Sequence, residues 1–176
     1  HRVPDQARTN PVDRGGKKRT AAALKILQAT MPASATLAES YLQSRAIHIP
    51  LPASLRFHAE LRHSAGGAWP AMVSQVTRGT DDVLVGIHRT FLSRDGAGKA
   101  PVAPNKMMLG PCRGGAVRLG IPNDVLMVGE GIETCLSAMQ AKRIPAWAAL
   151  STSGLRALDL PAAVREVILL ADRDDP

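Results

Sequence analysis

Cysteine is nearly absent: Cys112 and Cys135 are the two present among 176 residues. Two thiols so far apart in the chain build neither a disulfide framework nor a four-ligand zinc knuckle, and they fit a reducing, cytoplasmic compartment. Aromatic side chains make up 3% of the chain. Tyr41, Phe57, Trp69, Phe91 and Trp147 do not interleave with the basic residues, which argues against a base-stacking platform and for contacts dominated by a nucleic-acid backbone. No apolar run reaches the roughly 18 residues of a membrane span, so no membrane partner is expected. The opening HRVPDQARTN is not a charged-then-apolar leader, and the chain reads as part of something longer. A phosphate-binding loop is missing too, since Gly16-Lys17-Lys18 lacks the hydroxyl residue and a preceding strand. Ser151-Thr152-Ser153-Gly154 is not a nucleophile elbow and reads as a loop capping the next helix. The five histidines are scattered, and His58 and His63 do not share a helical face, so they read as structural or surface residues.

What is present is an ordinary globular balance, with 45% apolar and 21% charged residues, enough for one or two compact lobes. The charge is unevenly distributed. Residues 1–120 carry 17 lysines and arginines against 7 acids, a balance of +10, whereas residues 121–176 carry 5 against 8, a balance of −3. A basic region of that size attracts a polyanion, and nucleic acid is the expected one. The competing reading is that the surplus serves solubility alone.

Along the chain, residues 1–19 read as a flexible leader, rich in proline, glycine and basic residues. Thr20 is expected to cap a short helix closed by Pro32. Thr36 and Glu39 have capping-box spacing ahead of a second helix reaching about Arg45. Prolines 50 and 52 break helix, and RHSAGGAWP reads as loop. Ala71 to Thr77 and Val83 to Leu92, rich in β-branched residues around RGTDD, predict an antiparallel hairpin. Residues 93–120 show little regular patterning but hold Arg94, Lys99, Lys106, Arg113 and Arg118, and so long a loop is usually functional. From Asp124 onward VLMVG, AWAAL and VREVILLA alternate with helical segments, which implies parallel β-α-β units.

Ligands of such sheets bind beyond the carboxyl ends of the strands. Glu130 follows the first of these strands, between Gly129 and Gly131, which are expected to permit a sharp turn and close approach of a ligand. Asp172 and Asp174 follow the third strand, two apart, and so project to one side of an extended segment. Three carboxylates at one crevice suit a hard divalent cation, Mg²⁺ or Mn²⁺. Taken singly, each acid is better explained as a turn or cap residue, and it is the set that points to a cation. Asp175 and Glu133 are auxiliaries, the latter equally suited to complementing a helix dipole.

The segment VLMVGEGIETCLSAMQAKRIPAWAALSTSGLRALDLPAAVREVILLADRDD resembles a Toprim domain, with Glu130-Gly131 and Asp172-Arg173-Asp174 as its two signatures. Upstream, LAESYLQSRAI and VGIHRTFLSRDGAGKAPVAPNKMMLGP resemble the catalytic core of bacterial-type, phage- or plasmid-like DNA primases. The resemblance implies an α/β fold: a Toprim-like parallel sheet with flanking helices over residues 121–176, incomplete at its end, preceded over residues 20–120 by a basic α+β subdomain with an antiparallel hairpin. It implies Mg²⁺-dependent RNA primer synthesis on single-stranded DNA from nucleoside triphosphates, with a replicative helicase as a further partner. Glu130, Asp172 and Asp174 would be the catalytic metal ligands, and Lys106, Arg89, Arg113, Lys99 and Arg118 would hold template or nucleotide. Thr134 stands where many primases have an acid, and the resemblance does not include a zinc ribbon among these residues. A Toprim-type nuclease, or a DNA-binding module without catalysis, are the alternatives.

Overall fold

In a computed structural model, which describes residues 11–171, two sheets are packed through a shared core. None of the described helices is long and apolar enough to cross a membrane. Helix α1 spans Pro11–Gln28 and starts well before Thr20, taking in part of the expected leader. Proline is tolerated in a first helical turn, where its missing N–H has no partner to lose. Ala23 and Leu27, one turn apart, bury against the first sheet. The Thr20 hydroxyl does not cap; it lies within the helix and donates to the Val85 carbonyl at 3.2 Å. Helix α2, Leu37–Gln43, follows the expectation closely. Thr36 caps it by accepting from the Ala38 amide, while Glu39 reaches back to the Ala35 amide at 2.6 Å.

The first sheet is an antiparallel meander of β1 (Met31–Pro32), β2 (Leu55–Arg62), β3 (Ala68–Arg78), β4 (Val83–Phe91) and β5 (Lys106–Leu109), in that order. The expected hairpin is β3 and β4, with Ala71 opposite Phe91 and Ser74 opposite His88. Strand β2 was not anticipated: Leu55, Phe57 and Leu61 are buried, with an irregularity between His58 and Leu61 that masks their alternation. Strand alternation sorts the two faces. Ile87 and Phe91 pack with α1, whereas Met72 and Leu92 face the other way, into the larger core.

The second sheet has the order β6-β8-β7-β9, formed by β6 (Val117–Arg118), β8 (Ala146–Ala148), β7 (Val125–Gly129) and β9 (Glu166–Leu170). The three later strands are parallel, as the alternation with α3 (Ile132–Lys142) and α4 (Thr152–Arg156) predicts, and β6 is an antiparallel edge. The segment 93–120 is therefore not irregular throughout, since it supplies β5 to one sheet and β6 to the other. Thr77 of β3 bridges to Ala116 beside β6, and Val76 and Val85 share a cluster with Met127, Leu136 and Ala146. One apolar core thus spans the two sheets and holds their facing surfaces in fixed relation.

Candidate active site

Strand β7 ends where the site begins. Gly129 lies opposite Leu170 of β9, so these two parallel strands finish at the same rim. A Cβ on Gly129 would stand 3.0 Å from the Cys135 Sγ and 3.1 Å from the Leu170 Cβ, so a glycine is needed there for α3 and β9 to close in. Gly131 precedes α3 with φ −88° and ψ 138°, a conformation open to any residue, so the expected role of these glycines in turning the chain is replaced at Gly129 by packing. Between them Glu130 emerges half-buried. Its Oε1 accepts from the Thr152 hydroxyl at 2.6 Å, and its carbonyl accepts from the Leu150 amide at 3.1 Å, which ties it to the loop after β8. Asp172 and Asp174 follow β9 and lie outside the described residues.

One helical turn after Glu130, Glu133 is buried at the start of α3. Its Oε1 accepts from the Tyr41 hydroxyl of α2 at 2.7 Å, and its Oε2 accepts from the Lys106 Nζ of β5 at 3.1 Å. Burial alone would raise its pKa, but the Lys106 charge and the Tyr41 hydrogen bond prevail and hold it down to about 2. The Tyr41 hydroxyl is raised above its ordinary range, by burial first and then by the adjacent carboxylate. Lys99 joins this group: its ammonium is lowered by partial burial and by repulsion from Lys106. Beneath them His88 is buried and is lowered to about 4, by desolvation and then by Lys106. It is neutral near pH 7, and its Nδ1 has no partner, nor do the buried hydroxyls of Ser74 and Thr90 on the same face.

The remaining basic residues are dispersed. Arg89 is next to His88 along β4 and therefore points to the opposite face from Lys106, whose register partner is Thr90. It donates to the Met108 carbonyl at 3.3 Å and is lowered by desolvation. Arg118 lies toward the amino-terminal end of β8, with its guanidinium 4.2 Å from the Trp147 ring, paired with Asp82 and bonded to the Gly79 carbonyl. The structure thus separates Arg89 and Arg118 from Lys106, because their strand positions face other surfaces. Arg113 is exposed and lines a cleft of about 320 Å³ with Met108, Ser151 and Ser153, adjacent to the loop that holds Glu130.

Among the described residues no three His, Cys, Asp or Glu side chains gather as a cation site. Glu130 supplies a carboxylate at the rim, a donor of the hard-oxygen type Mg²⁺ or Mn²⁺ prefers, and in that respect the residue fits such an ion. Glu133 is instead engaged by the protein through both of its oxygens. From sequence Glu133 is an auxiliary acid, Tyr41 one of the few aromatics, His88 one of five structural or surface histidines and Thr152 part of a capping loop, with no signal that joins them to the site. The capping-box helix and the LGP segment hint at Tyr41 and Lys106 separately, but their meeting at Glu133 joins positions far apart in the chain.

Residues 17–119 match the family described as Domain of unknown function (DUF7146), and residues 125–176 match the Toprim domain. No curated protein matches the chain. A solved structure with a similar fold is the DnaG primase catalytic domain bound to ssDNA, with a TM-score of 0.53 and 14% identity. The match covers 91% of this chain and 64% of that one, so this chain spans less than two thirds of the primase domain it resembles.

Proposed function

Because this chain belongs to the DUF7146 family and carries a Toprim domain within the fold of a primase catalytic core, we propose that it performs Mg²⁺-dependent synthesis of RNA primers on single-stranded DNA. The observation that carries this reading is the Lys106–Glu133 contact, which joins a lysine of the basic sheet to a carboxylate three residues after Glu130 in the acidic part. A cation from the basic part of the chain thus pairs with a carboxylate of the acidic part, which supports a site for nucleotide phosphates beside one for a divalent ion.

In this reading Glu130, Asp172 and Asp174 hold Mg²⁺ or Mn²⁺. Bound there, the ion would neutralise charge on the triphosphate. Thr152 orients the Glu130 carboxylate. Lys106 and Lys99 bind the triphosphate oxygens, and Arg113, on its open cleft, takes backbone phosphates of the template. A primer 3′-oxygen bonds to the α-phosphorus, pyrophosphate departs, and the hydroxyl proton passes to water or to Glu130. The chain's contribution is position and electric field. Arg89 and Arg118 support the fold from other faces.

The test is primer synthesis from ribonucleotides on single-stranded DNA, comparing the parent protein with Glu130→Gln. Synthesis by the parent that is lost in the variant supports the proposal. Nicking of DNA in place of synthesis would identify a Toprim nuclease, and DNA binding with neither activity would leave a non-catalytic binding module.

A further inference from the structure

Glu133 stands where an auxiliary metal ligand would be expected, yet the protein itself takes up its two oxygens. Oε1 accepts from Tyr41 and Oε2 from Lys106, so α2, α3 and β5 converge on one buried carboxylate. We infer that Glu133, braced by Tyr41, is a positioning residue for nucleoside triphosphate, acting by holding the Lys106 ammonium at the rim. This rests on the primer-synthesis reading and assigns the residue that prepares its nucleotide site.

The physical argument has three parts. A lysine is a point charge on a flexible stem, and an exposed one samples many rotamers before it meets an anion. Here one of its three N–H donors is pinned by Glu133, which fixes the stem, while the side chain stays 36% exposed and open to a ligand. A pre-placed ammonium loses less freedom on binding, so a triphosphate gains affinity without a new contact. Lys99 stands beside it, and one carboxylate does not cancel two ammonium charges, which leaves a net positive site for an anion.

The experiment measures equilibrium binding of a fluorescently labelled ATP in Mg²⁺ buffer to the full chain, alongside primer synthesis. The variants are Glu133→Gln, Lys106→Met, the two combined, and Tyr41→Phe. Lys106→Met should weaken binding about tenfold, the loss expected for a hydrogen bond to a charged group, and Glu133→Gln about threefold to tenfold, the cost of ordering one freed side chain on binding. The double variant should bind no worse than Lys106→Met alone, because Glu133 acts through that lysine. In synthesis, the nucleotide KM should rise in Glu133→Gln with kcat within about threefold, a split that reports lost binding and that a general loss of folded enzyme would not give. Tyr41→Phe keeps the ring and both charges, and should weaken binding by about two- to threefold; it carries the test if Glu133→Gln fails to fold. Wild-type affinity in Glu133→Gln, multiplying effects in the double variant, or a Mg²⁺ requirement raised without a change in ATP affinity would each overturn the inference. ATP binding with the expected variant pattern but no synthesis refutes the primase reading and leaves the positioning role standing, whereas no ATP binding by the parent overturns the positioning role directly.

Discussion

Replacing Glu133 with glutamine removes a charge while keeping shape and hydrogen-bonding capacity, and its effect on stability follows from the site. The carboxyl is lowered from an ordinary 4.5 to about 2 by Lys106 and Tyr41 acting against burial. At about 1.4 kcal/mol per unit, such a shift corresponds to about 3 kcal/mol of folding free energy. The Lys106 side chain is 36% exposed, so solvent screening brings the expectation to about 2 kcal/mol. The folded-state pKa is depressed, so this stabilisation is present above about 4.5, the unfolded value, and is lost as pH falls through about 2. Urea unfolding of parent and Glu133→Gln, from neutral pH down to pH near the folded value, reads the difference directly. The two proteins should differ by about 2 kcal/mol near neutrality and converge in acid. A constant difference across that range would refute the argument, because it would mean the carboxylate's charge does not contribute.

His88 gives a second pH window. Its folded pKa of about 4 lies below the ordinary 6.5 because burial and Lys106 oppose protonation, so the parent should lose up to about 3 kcal/mol as pH falls between those values, and His88→Phe should flatten that part of the stability profile. Gly86→Ala places a Cβ 2.4 Å from the Leu109 carbonyl oxygen and 2.6 Å from the Cys112 Sγ, which should cost about 1–3 kcal/mol in a denaturant melt and loosen β5, the strand that carries Lys106. Binding of single-stranded DNA should weaken about twofold to threefold between about 50 and 200 mM salt if Arg113 meets one template phosphate. Arg118→Met should leave that salt slope unchanged while lowering stability by about 1–2 kcal/mol, through loss of the Trp147 and Asp82 contacts; a shallower slope would place Arg118 on the nucleic acid.

How much was legible in the sequence depended on the range of the interaction that decides each feature. Thr36 with Glu39 marks the start of α2, and Ser151 caps α4, because a cap is settled within four residues. VLMVG reads as a buried parallel strand from its own composition, and Glu130 is found at its carboxyl end because topology puts ligands there. Strand β2 is not legible where an irregularity hides its period, and the start of α1 is not legible because Thr20, which has the composition of a cap, bonds instead to Val85 of the sheet from within the helix.

The sequence by itself therefore determined the central hairpin, the alternation of strands and helices after Asp124, the division into basic and acidic parts, and the rim from which Glu130 projects, since periodicity and capping act over one or two turns of chain. Only the tertiary structure decided which of the basic residues face that rim. Lys106 and Arg89 come from neighbouring strands of one sheet, but register sends the first toward Glu133 and the second to the opposite face. Register and the packing of one sheet against another join residues far apart in the chain, and local composition carries no record of which partner each will meet.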